Sequence, residues 1–152
     1  ICRSPSAEGI MNHLVREAGL SDRITCDSAG TSSYHIGASP DPRMTAAARR
    51  QGIALVSHGR QFESSDFESF DLILAMDRDN YQSLMARDRT GQYQNKVRLM
   101  CDFCQTFPDK EVPDPSYGGS DGFNDVFDLL LDACNGLLMH VTQDLLSDSP
   151  RH

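Results

Sequence analysis

Hydrophobic and polar positions along the chain alternate between helical and strand-like patterns. Apolar residues recur at helical spacing between a start signal, Ser4-Pro5, and a stop signal, Gly19. Further helices are predicted over 41–52, where two arginines and a glycine mark the end, and over 79–87. The last predicted helix presents one long apolar face, formed by Phe123, Val126, Phe127, Leu130, Leu131, Cys134, Leu137, Leu138, Val141 and Leu145.

Three shorter runs have the pattern of β-strands. Residues 70–76 are almost continuously apolar, which is typical of a strand buried on both faces of a parallel sheet. Residues 23–29 and 97–101 lie between predicted helices and give the same alternation. The order predicts an α/β fold, a three-layer doubly wound parallel sheet with helices on both faces.

The predicted order begins with a helix, although a strand normally precedes the first helix of this architecture. We expect that strand upstream of Ile1, which makes the sheet four-stranded. The chain also starts without a methionine. Residues 1–152 are therefore expected to form a single domain that is incomplete at its N-terminus.

Composition narrows the class of protein. The 152 residues suit one domain, and 22 acidic against 14 basic side chains give a net charge of −8. This charge disfavours nucleic acid and anionic membranes as partners. No apolar run reaches the ~20 residues of a membrane span, and no leader pattern is present, so we expect a cytoplasmic protein. Five cysteines, an odd number, are expected to be reduced thiols.

The first residues offer candidate chemistry. A helix N-terminus has free backbone N–H groups and the positive end of the helix dipole, so Arg3 and Ser4 placed there suit an oxyanion such as phosphate. A capped helix without any ligand explains the same residues.

Several motifs together carry a family resemblance. Residues 1–8 resemble the second half of the phosphate loop of low-molecular-weight protein tyrosine phosphatases, Cys-x-Gly-Asn-x-Cys-Arg-Ser-Pro. The resemblance continues, in family order, through Asp27-Ser28-Ala29-Gly30-Thr31, Ser39-Pro40-Asp41-Pro42-Arg43, Met76-Asp77 and Pro113-Asp114-Pro115-Ser116-Tyr117-Gly118-Gly119. It covers nearly the whole chain and implies that the missing first strand is the central one.

The resemblance implies a catalytic set. Ile1, Cys2, Arg3 and Ser4 match the phosphate loop, in which Arg3 would hold two phosphate oxygens and Ser4 would stabilise the nucleophilic thiolate. Asp114 matches the general acid and base. Taken alone, Asp114 is better explained as a turn residue of a Pro-rich loop.

The resemblance also implies a substrate cleft. Tyr34 and Tyr117 match its aromatic walls, although both could be ordinary surface residues. Many relatives carry a second tyrosine where this chain has Ser116, which lowers one wall of the cleft.

Further positions match residues that brace the phosphate loop by hydrogen bonds. These positions are Ser28, His58 and Asp77. For His58, an ordinary structural histidine would do much the same.

The signature Cys-x5-Arg requires a cysteine six positions before Arg3, which is upstream of Ile1, and no second Cys-x5-Arg occurs in the chain. Cys2 matches the second loop cysteine, a redox guard that can form a disulfide with the nucleophile.

The expected function is hydrolysis of tyrosine phosphate, in proteins or small aryl phosphates, through a cysteinyl-phosphate with inorganic phosphate as product. No cofactor and no metal are required. One alternative is arsenate reductase of the same fold, suggested by Cys101 and Cys104, a pair that could also be structural. The other is a non-catalytic phosphotyrosine-binding protein.

Overall fold

The structure is a computed structural model that describes residues 3–30, 41–56, 60–113 and 120–148. It contains two short parallel strands and five α-helices in these ranges. In chain order they are α1 (Arg3–Glu17), α2 (Pro42–Arg50), α3 (Asp66–Ser69), β1 (Ile73–Ala75), α4 (Arg78–Arg87), β2 (Val97–Leu99) and α5 (Ser120–Asp148). Two 3-10 helices, Gln94–Lys96 and Met100–Phe103, flank β2.

The helices follow the signals in the sequence closely. Helices α1 and α2 are each followed by a glycine with positive φ, 72° at Gly19 and 77° at Gly52. The amide after each glycine bonds a carbonyl five residues back, which satisfies the last turn. The Asp41 carboxylate caps α2 by accepting from the Arg43 amide at 2.8 Å.

One predicted helix start is wrong. Ser4 was expected to cap α1, but the helix already includes Arg3, and Ser4 lies in its first turn. A Ser-Pro pair is compatible with a helix that begins at either residue. The N–H groups of the first turn have no partner within the helix, so the N–H that proline lacks is not needed there.

The sheet is smaller than predicted. Strands β1 and β2 pair in parallel, with Ile73 opposite Val97 and Ala75 opposite Leu99. Both are shorter than the predicted runs 70–76 and 97–101. The four-stranded sheet is not seen among the described residues.

The predicted strand over 23–29 is absent. Only Gly30 forms a bridge, to Gln61, through Gly30 N to Arg60 O and Phe62 N to Gly30 O, both 2.8 Å. A strand requires a neighbour along its length, and residues 24–29 border a cavity instead of another strand in the described chain.

Helices nevertheless cover both faces of β1. Leu74 and the preceding Leu72 pack with the main core of α1, α2 and α5, whereas Ile73 and Ala75 pack with Phe67, Leu84 and other residues of a second core. This alternation is the period of two expected for a strand buried on both faces. The architecture is therefore α/β and layered, as predicted.

A cavity of about 760 Å³ lies between α1, residues 23–30, β1 and α5. Arg3 and Ser4 are among its lining residues, and Leu74 and Leu137 are among the apolar ones. Arg60 forms ion pairs with Asp27 at 2.9 Å and with Asp66 at 3.0 Å, and all three residues line the cavity.

None of the helices in the described ranges has the length and apolar character needed to cross a membrane.

Candidate active site

Arg3 brings three distant parts of the chain together. Its Nη1 donates to Asp77 Oδ2 at 2.7 Å and to the Val112 carbonyl at 2.8 Å. The Arg3 and Asp77 side chains are 21% and 23% exposed, so their charges are only partly screened by water. The guanidinium is thereby fixed at the start of α1.

Asp77 holds its position because the chain changes element there. It lies two residues after the end of β1, and its other oxygen, Oδ1, caps α4 by accepting from the Asn80 amide at 2.8 Å. Burial alone would raise the pKa of Asp77, but the Asn80 amide and the Arg3 guanidinium outweigh it and hold the pKa below its ordinary value. Asp77 is therefore a carboxylate at neutral pH.

Val112 is held from both sides. Its amide donates to Met76 O at 2.8 Å, and its carbonyl accepts from Arg3. Its side chain is fully buried. This fixes the chain two residues before Asp114.

Ser4 and Ser28 lie near the same end of α1. Ser4 is half-buried in the first turn of α1 and lines the large cavity with Arg3. The Ser28 hydroxyl donates to Glu8 Oε1 at 2.8 Å, which ties residues 23–30 to α1 one turn further along. The contact of Ser28 is thus with a helix side chain, and a role in bracing the phosphate loop stays a prediction.

Several predicted site residues lie outside the described residues. They are Ile1, Cys2, Tyr34, His58, Asp114, Ser116 and Tyr117. Their roles stay predictions.

Two features of this site could not be found from the sequence. One is the Val112 carbonyl as a partner of Arg3, since a backbone contact leaves no mark on residue type. The other is Glu8, because its contact with a residue 20 positions further along the chain depends on the fold. The first turn of α1 holds no acid, and Glu8 accepts from Ser28.

The thiols of the described residues are poorly ionised. Burial raises the pKa of Cys26 to about 11, with Glu8 adding to the effect, and burial beside Cys101 raises that of Cys104 to about 12. Since the thiolate is the nucleophile and the metal ligand, these thiols are inert near neutral pH. Among the described residues no group of three or more His, Cys, Asp or Glu is arranged to hold a metal ion.

The fold and site define a class of protein: an α/β domain that presents an oriented arginine at a helix N-terminus, beside the carboxyl end of a parallel strand. Such a site suits an oxyanion.

Comparison with known proteins narrows this class. A sequence model described as low molecular weight phosphotyrosine protein phosphatase matches residues 1–147. A Synechocystis protein bearing the low molecular weight protein-tyrosine-phosphatase name is 54% identical over 147 residues, which are 97% of this chain and 94% of that protein. The human low molecular weight phosphotyrosine protein phosphatase is 34% identical over 141 residues, 91% of this chain and 87% of that one.

Solved structures agree. A protein tyrosine phosphatase from Entamoeba histolytica, crystallised with Hepes in its active site, superposes with a TM-score of 0.90 at 45% identity, covering 95% of this chain and 92% of that chain. YfkJ from Bacillus subtilis gives 0.88 at 33% identity, covering 95% and 89%. The chain belongs to the low molecular weight phosphotyrosine protein phosphatase family, a family of hydrolases.

Proposed function

We propose that the protein hydrolyses phosphotyrosine in proteins, and small aryl phosphates, through a cysteinyl-phosphate, with inorganic phosphate as product. The observation that carries this proposal is the fixed guanidinium of Arg3. Within the described ranges, both hydrogen bonds that Arg3 donates to the protein come from Nη1. Among the described residues, its Nε and Nη2 keep their N–H groups for a ligand, and these form the side of the fork that binds two oxygens of a phosphate.

In the proposed mechanism, the Nε and Nη2 groups of Arg3 bind the phosphoryl group, on which negative charge develops in the transition state. Arg3 would bind two equatorial oxygens of the transferring phosphoryl group, and Asp77 and Val112 would keep it from following the ligand. An oriented donor of this kind stabilises a transition state without reorganising. Ser4 would stabilise the attacking thiolate from the first turn of α1, where the helix dipole acts in the same direction.

Asp114 is proposed as the general acid and base. It would protonate the phenolate leaving group, and as a carboxylate it would then activate the water that hydrolyses the cysteinyl-phosphate. Its support is positional, because Val112, two residues earlier, lies at Arg3.

The nucleophile is proposed to lie six positions before Arg3, in a segment preceding Ile1. The raised pKa values of Cys26, Cys104 and the fully buried Cys134 make them poor nucleophiles. Cys2 would guard the nucleophile by forming a disulfide with it after oxidation by a peroxide.

The same segment is proposed to supply the central strand of a four-stranded sheet and so to complete a single domain. The cavity of about 760 Å³ supports this, because it lies beside β1 and next to residues 23–30. A strand there would give residues 24–29 the neighbour that they need to pair.

The substrate cleft is proposed to be walled by Tyr34 and Tyr117 and left lower on one side by Ser116. Stacking of the substrate ring on these aromatic residues is the expected attraction. His58 and Ser28 are proposed to hold the phosphate loop in position by hydrogen bonds.

Turnover of aryl phosphates with different leaving groups tests the proposal. In Asp114→Asn, prepared in protein that carries the segment preceding Ile1, kcat/KM reports the step in which the leaving group departs. For phenyl phosphate it should fall about 100-fold or more, while p-nitrophenyl phosphate, whose phenolate leaves unprotonated more readily, should lose less. Equal losses for both substrates would remove Asp114 as the acid. Tight phosphotyrosine binding without turnover by the wild type would instead support a non-catalytic binding protein.

Arsenate reduction is less well supported. A relay through Cys101 and Cys104 requires thiolates, whereas burial raises the pKa of both thiols.

A further inference from the structure

A second, smaller cavity lies between α2 and the beginning of α5. Its volume is about 260 Å³, and it shares no lining residue with the large cavity beside α1. The residues around it include two arginines and one aromatic ring: Pro42, Arg43, Ala46, Arg50, Phe123 and Asn124.

The two arginines differ in how their charges are used. The Arg43 guanidinium lies 4.3 Å from the centre of the Phe123 ring and forms an ion pair with Asp41 at 3.1 Å. Arg50 Nη1 donates to the neutral amide oxygen of Asn124 at 2.8 Å, and no carboxylate of the described chain forms an ion pair with it. The Asn124 amide orients the Arg50 guanidinium without neutralising it.

Arg50 is thus an oriented cation without a carboxylate partner among the described residues. The chain carries a net charge of −8, and the guanidiniums of Arg3, Arg60 and Arg98 all have carboxylate partners. The remaining N–H groups of Arg50 are therefore suited to an anion supplied from outside the chain.

The lining of this cavity extends along α2 from Pro42 at its start to Arg50 in its last turn, about 12 Å further along the helix axis, so one end of the cavity lies near the proposed active site. In a parallel doubly wound sheet, the helices that follow strands begin at the edge where ligands bind. Helix α2 begins just after residues 31–40, and α5 begins just after residues 114–119. These two segments carry Tyr34, Asp114 and Tyr117, the residues proposed to contact the substrate.

We propose that the Arg50 cavity is a subsite for an acidic side chain of the substrate polypeptide, a few residues from the phosphotyrosine. This inference rests on the proposed function and extends it to the sequence around the phosphorylated residue. Arg50 would bind the carboxylate, and the small side chain of Ala46 leaves room for it. A second phosphate group offers the same chemistry and is distinguished below.

Peptide hydrolysis by protein that carries the segment preceding Ile1, and by three variants of it, tests the subsite. Each peptide contains one phosphotyrosine and one test position that carries Glu, Gln, Lys or phosphoserine. The test position is varied from three residues before the phosphotyrosine to three residues after it, and the rest of the peptide is kept constant. The variants are Arg50→Gln, Arg50→Glu and the matched control Arg49→Gln. Arg49 is an exposed neighbour in the same last turn that does not line the cavity.

We expect one position at which kcat/KM for the Glu peptide exceeds that for the Gln peptide about three- to tenfold in the wild type and in Arg49→Gln. The ratio should fall to about one in Arg50→Gln, and Arg50→Glu should prefer Lys. A larger ratio for phosphoserine than for Glu would assign the subsite to a second phosphate group.

Three results would overturn the subsite: no position with a Glu preference, a preference that survives in Arg50→Gln, or an equal loss in Arg49→Gln. Failure of the proposed function is distinguishable, because the wild type would then release no phosphate from p-nitrophenyl phosphate. The same ratios, measured as Kd values for peptides with a non-hydrolysable phosphonate, would still decide the question.

Discussion

The carboxylate of Asp77 forms hydrogen bonds in two directions. Oδ2 accepts from Arg3 at 2.7 Å, and Oδ1 accepts from the Asn80 amide at 2.8 Å at the start of α4. A resemblance of motifs pointed to both Arg3 and Asp77, because their residue types are visible in the sequence. The third partner, the Val112 carbonyl, depends only on where the backbone passes and could not be predicted from residue types.

Asp77→Asn separates the two roles of this side chain. Asparagine remains a good helix cap, so α4 should keep its start, whereas the charge-assisted bond to Arg3 is lost. We expect kcat/KM for p-nitrophenyl phosphate to fall roughly 10- to 100-fold, because a misplaced Arg3 stabilises the transition state less. Unchanged kcat/KM, with circular dichroism showing a native fold, would contradict a positioning role for Asp77.

The Asp77→Asn variant also tests how the free energy of unfolding depends on pH. The pKa of Asp77 is lower in the folded protein than its ordinary value of about 3.9 in an unfolded chain. Its contribution to the free energy of unfolding is therefore fully present above about pH 4 and is lost as the pH falls through the folded-state pKa. Urea unfolding should show a constant difference between wild type and Asp77→Asn from about pH 5 to 7, and a shrinking one below about pH 4. A difference that grows on acidification would contradict this sign.

At the scale of elements, helices were predicted more reliably than strands. The starts and ends of α2 and α4 fall within one or two residues of the prediction, because caps, glycines and periodicity are local signals. Residues 23–29 have strand-like composition but no strand, since pairing depends on a distant partner. The four-residue helix α3 was missed, because so short an element has no period to detect.

Gly136 of α5 allows one close approach between elements. A Cβ at this position would overlap the carbonyl oxygen of Phe103, at the end of the 3-10 helix after β2. Alanine normally stabilises a helix by about 1 kcal/mol relative to glycine. In Gly136→Ala we expect a loss of about 2–4 kcal/mol in the free energy of unfolding, because backbone must move to relieve the overlap.

The exposed neighbour Asn135 provides the control for this substitution. Asn135→Ala should change the free energy of unfolding by no more than about 0.5 kcal/mol. Both values can be measured by urea denaturation monitored by circular dichroism. A stabilised Gly136→Ala would show that α5 does not pack this closely on the 3-10 helix.

At the scale of the whole molecule, the main feature is the large cavity among the packed elements. Helices α1 and α5 pack on each other, and the cavity lies between them, β1 and residues 23–30. The alternation of elements predicted the layered α/β class, while the four-stranded sheet stays a proposal.

The proposed central strand makes a prediction about hydrogen exchange. In protein that carries the segment preceding Ile1, the amides of residues 24–29 should exchange at least about 100-fold more slowly than in residues 1–152 produced alone, because a strand would pair with them. Intact mass establishes which form is measured. Equal exchange in the two forms would mean that the cavity is not filled by a paired strand.

Val112 also separates the two ends of the proposed site. Its amide donates to Met76 and its carbonyl accepts from Arg3. The residue therefore holds the backbone in place between the proposed phosphate-binding end and the segment that carries Asp114. Residues 114–119 could therefore be exchanged for those of a relative without disturbing Arg3. If the proposed roles hold, such loop exchange would alter leaving-group preference and leave phosphate binding at Arg3 unchanged.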